Sequence, residues 1–259
     1  MSNETDIVWI SSSHVSQRFD RPLLEYLSQY VNVDQWEYHH HLDKGSSIDE
    51  AVNFLDEFLS QSSYPVNLAG HGAGGAIALT FARRYPQKVR CSSREPRKAR
   101  SLVLLSVASQ PANTWHVYYY LQRKLFTMSR RQVLKNCVRH LFGEQSQNTT
   151  KKLMGILYRD LEQSPLHSLF KLIELPQGGV SMPMMVCGSK NDSIVNSPAL
   201  KDWLKEFKPG DILWECPKGH HFFHYFYPQQ VGEEMLSFWQ PYYLQSMLKS
   251  QPVDRNLTN

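Results

Sequence analysis

The stretch Val66-Asn67-Leu68-Ala69-Gly70-His71-Gly72-Ala73-Gly74-Gly75 passes from an apolar run through a glycine-dense turn into a helix-forming segment. A strand, a tight turn of small residues and a helix make a nucleophile elbow, written G-x-S-x-G, whose apex presents a hydroxyl for covalent attack. Here the apex position is Gly72, flanked by Gly70 and Gly74, a register that keeps His71 off the apex. Glycine has no side chain, so no acyl-enzyme can form there. A second concentration of titratable groups is His39-His40-His41, at the end of a strand, where His39 and His41 share one face. No carboxylate or cysteine stands at ligand spacing from it, so no metal is assigned.

The elements that must position such a turn follow from the apolar pattern. Short apolar runs predict strands at Asp6–Ile10, Val31–Tyr38, Tyr64–Ala69, Ser101–Val107, Met184–Cys187 and Ile212–Cys216. Helices are predicted at Pro22–Tyr30 with Pro22 in the first turn, after Ser47 with Glu50 closing a capping box, and at Ala76–Arg84, Leu200–Phe207 and Gln230–Trp239. Alternation of this kind implies an α/β fold, a mostly parallel sheet of about six strands flanked by helices. Residues 110–180 break the alternation with a helical pattern and predict a cap inserted into a core made of residues 1–109 and 181–259. Residues 90–100 form a basic loop, carrying Arg94, Arg97, Lys98 and Arg100.

The glycine turn resembles the α/β-hydrolase fold family, whose members often read GHSxGG at this point. Phe81-Ala82-Arg83-Arg84-Tyr85-Pro86-Gln87-Lys88-Val89 also resembles the helix end that follows the family's elbow. Met184-Met185-Val186-Cys187-Gly188 followed by Asn191-Asp192-Ser193 is similar to the family's acid-bearing turn and nominates Asp192, with a gap one residue longer than the commonest form. Gly219-His220-His221-Phe222, with Pro228 seven residues past His221, resembles the histidine loop and nominates His221. His220 and His224 are then packing or hydrogen-bonding neighbours. The three nominated positions keep the family's chain order of nucleophile, acid, histidine, and the resemblance spans residues 6 to 240. The chain departs from the family at Gly72 and again after the first strand. There the common His-Gly is replaced by Ser11-Ser12-Ser13-His14. The resemblance leaves the Ala73 N–H, with Ser12 and Ser13, as candidates for an oxyanion site.

Three readings account for an apex without serine. The protein is a binding or scaffolding pseudo-hydrolase; or His221 and Asp192 act as a general-base dyad without a covalent step; or the chain is an inactivated form of a serine hydrolase. An apolar, aromatic-rich cap implies an acyl, aryl or other hydrophobic ligand, and the two hydrolase readings imply that it is ester-like. With 41% hydrophobic and 20% charged residues, the composition excludes a disordered chain. No GxGxxG or P-loop is present, so no nucleotide cofactor is implied. The four cysteines lack CxxC spacing and the first ten residues lack a leader pattern, which together imply a cytoplasmic protein with free thiols. Net charge is +4, yet residues 90–140 hold eleven Lys/Arg against one acid, Glu95. That segment implies an anionic partner, an acidic protein or the surface of a membrane, and no motif accompanies it that would imply nucleic acid.

Overall fold

In a computed structural model, residues 6–38, 47–61, 66–85, 99–109, 114–163 and 178–249 are described, the last nine of them as backbone only. Six strands, β1 (Ile7–Ser11), β2 (Val33–Glu37), β3 (Val66–His71), β4 (Ala99–Leu105), β5 (Met184–Ser189) and β6 (Ile212–Cys216), form one parallel sheet in the order β2-β1-β3-β4-β5-β6. The order reverses between β1 and β3. In open sheets of this kind, ligands bind outside the carboxyl ends of the strands at that switch point.

Both faces of the sheet are covered, which is why its central strands read as unbroken apolar runs. Alternate side chains serve opposite layers. Val8, Ile10, Leu68, Leu102, Leu104 and Val186 pack into the layer of α2 (Ile48–Leu59) and α3 (Gly72–Arg84). Ile7, Trp9, Ala69, Val103, Leu105 and Cys187 pack with α1 (Gln17–Leu27) and with Trp239. Among the described residues between β4 and β5 are three helices, α4 (Trp115–Leu125), α5 (Arg130–Phe142) and α6 (Gln147–Gln163), within the predicted 110–180 insertion. The chain closes through α7 (Ser197–Lys201, continued as a 3-10 turn), α8 (Phe223–Phe226) and α9 (Pro228–Lys249). No described helix is long and apolar enough to cross a membrane.

Several boundaries differ from the sequence reading, each for a packing reason. Helix α1 starts five residues before Pro22, because Phe19 and Asp20 are buried with Leu23, Leu24 and Leu27. Strand β4 starts at Ala99, so Arg100 belongs to the sheet and not to a loop, while Val107 lies beyond the strand end. Ser47 caps α2 by accepting the Glu50 N–H at 3.1 Å, but the Glu50 carboxylate takes the Tyr38 hydroxyl at 2.7 Å. The basic residues Arg94, Arg97 and Lys98, Cys91 and the run His39-His40-His41 lie outside the described residues. The other three cysteines are buried free thiols, and burial pushes Cys137 up to about 12.

Helix α3 begins at Gly72, four residues before the predicted start, so the glycines form its first turn. A Cβ on Gly74 would stand 2.0 Å from the Ile10 carbonyl oxygen, which shows how closely α3 lies on β1. Gly74→Ala is expected to lower the unfolding free energy by about 3 kcal/mol, the upper range for forced overpacking. Gly155→Ala is the control, since nothing lies within 4 Å of its Cβ position in α6. It should raise stability by about 0.5–1 kcal/mol in the same urea titration.

Candidate active site

A cavity lies at the carboxyl ends of the strands, lined by Ser11 and Ser12 at the end of β1, by His71 and Gly72 at the end of β3, and by His221 from the loop after β6. Strand β3 delivers His71 and then Gly72, whose φ of +52° is the left-handed turn that lets the chain enter α3. Loops after β5 and β6 deliver Asp192 and His221, both buried. His221 Nδ1 lies 3.0 Å from Asp192 Oδ2. Among the described residues, a Cβ on Gly72 would have a single neighbour within 4 Å, His221 Nε2 at 3.9 Å. The nominated trio is therefore brought together, with the imidazole held over the glycine apex.

Asp192 is satisfied on every side. Its Oδ1 accepts the N–H groups of Ile194 at 2.8 Å and Val195 at 3.0 Å. Its Oδ2 accepts His221 and the Ser106 hydroxyl at 2.9 Å. Burial alone would push this carboxyl up. The His221 charge and hydrogen bond, with the Val195 and Ile194 N–H groups, outweigh it and hold the group below its ordinary value. An ionised carboxylate only accepts, so His221 Nδ1 must carry the proton and Nε2 is bare in the neutral ring. Among the described residues Nε2 takes no protein partner.

Ser106 was missed by the sequence reading. It directly follows β4 with a φ of +49°, a conformation that costs a non-glycine residue roughly 1–3 kcal/mol. Its hydroxyl also lies 3.0 Å from the His221 carbonyl oxygen, so it braces both halves of the pair. The only trace in the sequence is a serine closing the run Leu102-Val103-Leu104-Leu105.

Two further buried Asp–His pairs border the same cavity. Asp20 Oδ1 accepts His224 Nε2 at 3.0 Å, and its other oxygen takes Trp9 Nε1 at 2.9 Å and Ser11 Oγ at 3.1 Å. His224 is thus a hydrogen-bonding neighbour, as expected, while His220 packs against the backbone of Gly143. His116 Nε2 of α4 lies 2.9 Å from Asp160 Oδ2 of α6. The Ser13 hydroxyl donates to Asp160, which ties α6 to the loop after β1. Of the oxyanion candidates, Ala73 and Ser12 line the cavity, and the Ser13 hydroxyl is committed to Asp160.

His71 Nε2 donates to the His221 carbonyl at 3.0 Å. Its ring lies 4.7 Å from that of His221 and 4.6 Å from that of His224. Burial first, then the charges of His224 and His221, push His71 well below the ordinary histidine value. One ligand atom each from Asp20, His71 and His224 lie within 4.8 Å of one another, so these residues could hold a divalent ion. Asp20 and His224 already satisfy each other there. The cavity has a volume of about 30 Å³, room for water but not for an acyl chain. Of Trp115 and the Tyr118-Tyr119-Tyr120 run, only Trp115 lines it, and most of the residues that line it carry polar side chains.

No protein-family model matches the chain. An uncharacterized protein of Nostoc sp. is 65% identical over 260 residues, covering all of both chains. An uncharacterized protein of Synechocystis sp. is 34% identical over 241 residues, 93% of this chain and 92% of its own. Among solved structures, the enol-lactonase of Burkholderia xenovorans LB400 has a TM-score of 0.69 at 13% identity, covering 92% of each chain. A meta-cleavage product hydrolase of Pseudomonas fluorescens has a TM-score of 0.68 at 12% identity, again covering 92% of each. A lipase-esterase related protein of Clostridium acetobutylicum has a TM-score of 0.60 at 19% identity, covering 92% of this chain and 95% of its own.

A histidine kept neutral by burial has a pH signature. Below the unfolded value of about 6.5, the unfolded chain takes up a proton that folded His71 refuses, so stability present at neutral pH is lost as pH falls. Unfolding free energy should drop between about pH 7 and 5, with this group contributing up to about 1.4 kcal/mol per pH unit. His71→Gln, which retains a donor for the His221 carbonyl, should flatten that difference in denaturant titrations run across the range.

Proposed function

The chain belongs to one family with the Nostoc and Synechocystis proteins and has the α/β-hydrolase fold, and on that premise we propose that it is a hydrolase-type enzyme working without a covalent intermediate. The observation that carries this reading is His221, whose Nδ1 is fixed to a buried charged Asp192 while Nε2 faces the vacant apex at Gly72. A histidine held only for packing has no need of this arrangement, which costs a buried carboxylate and a strained Ser106.

The chemistry follows from the missing hydroxyl. In a serine enzyme the imidazole takes the proton of the nucleophile. Here the group that can occupy that place is water, and the cavity has room for it. His221 Nε2 removes a proton as the water oxygen attacks an ester-like carbonyl. Asp192 stabilises the imidazolium that forms, and the imidazolium then protonates the leaving alkoxide. Ala73, in the first turn of α3, and Ser12 line the same cavity, and in this reading the Ala73 N–H and the Ser12 hydroxyl serve as donors to the developing oxyanion. A polar cavity of this size favours a small substrate, or one whose bulk stays outside. The second reading, a non-catalytic binding protein, is favoured by the same small volume, and by Gly72 itself.

Turnover of a small activated ester such as p-nitrophenyl acetate separates the two. The unmodified protein should hydrolyse it without a burst and should not be labelled by a fluorophosphonate, since both require a serine hydroxyl. His221→Gln and Asp192→Asn should each lower kcat/KM by about 100-fold or more. Gly72→Ser should gain fluorophosphonate labelling, because its hydroxyl would come within reach of Nε2. Rates that are the same with and without His221 would leave only the binding reading.

A further inference from the structure

The cationic run between residues 90 and 140 has no part in the chemistry above, yet its described portion ends in an unusual surface. At the far end of α4 the exposed large apolar side chains include Tyr120, Leu121, Leu125 and Phe126, the last two 69% and 53% exposed. This end is ordered by its own contacts. Phe126 N–H bonds to the Gln122 carbonyl at 3.1 Å, Arg123 bonds to the Met128 carbonyl at 2.6 Å, and Ser129 with Gln132 forms a capping box that starts α5. The apolar exposure therefore belongs to a built turn and not to a fraying helix.

Cations are dense along this stretch of the chain. Arg123 and Lys124 precede the turn within α4, and Arg130, Arg131 and Lys135 follow on α5. Arg130 lies 4.2 Å from the ring centre of exposed Tyr158, which brings the end of α6 to the same place. Glu162, also on that end, is paired with Arg130 at 2.5 Å. From Pro96 to Gly143 the chain contains no acidic residue.

Exposed leucine and phenylalanine set among arginine and lysine suit one kind of surface. An acidic protein face would meet the cations but gain little from burying Leu125 and Phe126 among carboxylates. A bilayer of anionic phospholipid accepts both, with apolar side chains entering the acyl boundary and cations resting on the phosphates. We propose that the Leu125–Phe126 turn and the Arg and Lys side chains of this stretch dock this protein on an anionic phospholipid bilayer. Helix α4 then has two working ends, since its first turn carries Trp115 and His116 into the cavity. About 16 Å of helix separates the two.

Flotation with phosphatidylcholine vesicles containing about one third phosphatidylglycerol tests this directly. The full chain should float with them at low salt, detach progressively as salt rises, and ignore pure phosphatidylcholine. The pair Leu125→Asp and Phe126→Asp should reduce binding at least about tenfold. The pair Lys124→Glu and Arg131→Glu, which leaves the Arg123–Met128 bond in place, should reduce it at least about thirtyfold. Both variants should melt within a few degrees of the parent, because the altered side chains are exposed. Failure of the parent to float with anionic vesicles at low salt would overturn the proposal. So would equal flotation of either variant and the parent; dependence on the cations alone would point instead to an acidic protein face.

Discussion

A carboxylate stays charged inside a protein only if donors replace the water it has lost. Asp192 is nearly inaccessible and takes four donors, from Ser106, Ile194, Val195 and His221. Those donors come from the ends of β4, β5 and β6, so the charge is met only when three neighbouring strands end in register. Ser106 bears a left-handed backbone to reach it, and His71 fixes the His221 carbonyl from the end of β3. The geometry at the apex is therefore a consequence of how one buried charge is satisfied.

Gly72 changes what that geometry can do. The left-handed φ suits glycine without strain, whereas a serine there would bear the strain in exchange for a nucleophile. Asp192 orients the imidazole with glycine at the apex, and the open nitrogen faces solvent-sized space. The pairs Asp20–His224 and Asp160–His116 crowd the same cavity with hydrogen-bonding groups. Apolar bulk is confined to Trp115, Phe222 and Ala73, so the lining suits water and small polar groups better than a long acyl chain.

Much of this was visible in the sequence because it is written locally. The strand cores are continuous apolar runs, the elbow is a run of glycines, and Asp192 and His221 follow strands that end in turns. Other parts depend on long-range meetings that leave no local pattern. Asp20 and His224 lie 204 residues apart, and Asp20 sits inside a helix where an acidic residue reads as solvent-facing. Ser13 and Asp160 lie 147 apart. Ser106 is an unremarked serine until its φ is known. The helix starts were misplaced for related reasons. Phe19 pulls α1 back past Pro22, and the glycines that read as a loop are the first turn of α3 because their missing side chains let it lie against β1.

The central claim is that His221 presents a bare Nε2 at an apex without a hydroxyl. The imidazole nitrogen resonances of ¹⁵N-labelled protein, followed through a pH series to where the His221 ring is neutral, report this directly. The account predicts a His221 Nδ1 bonded to a proton shifted to low field by Asp192, and an Nε2 with the signature of an unprotonated, pyridine-like nitrogen. A protonated Nε2 in the neutral ring would contradict it, because the pair would then have no base to offer a water at Gly72.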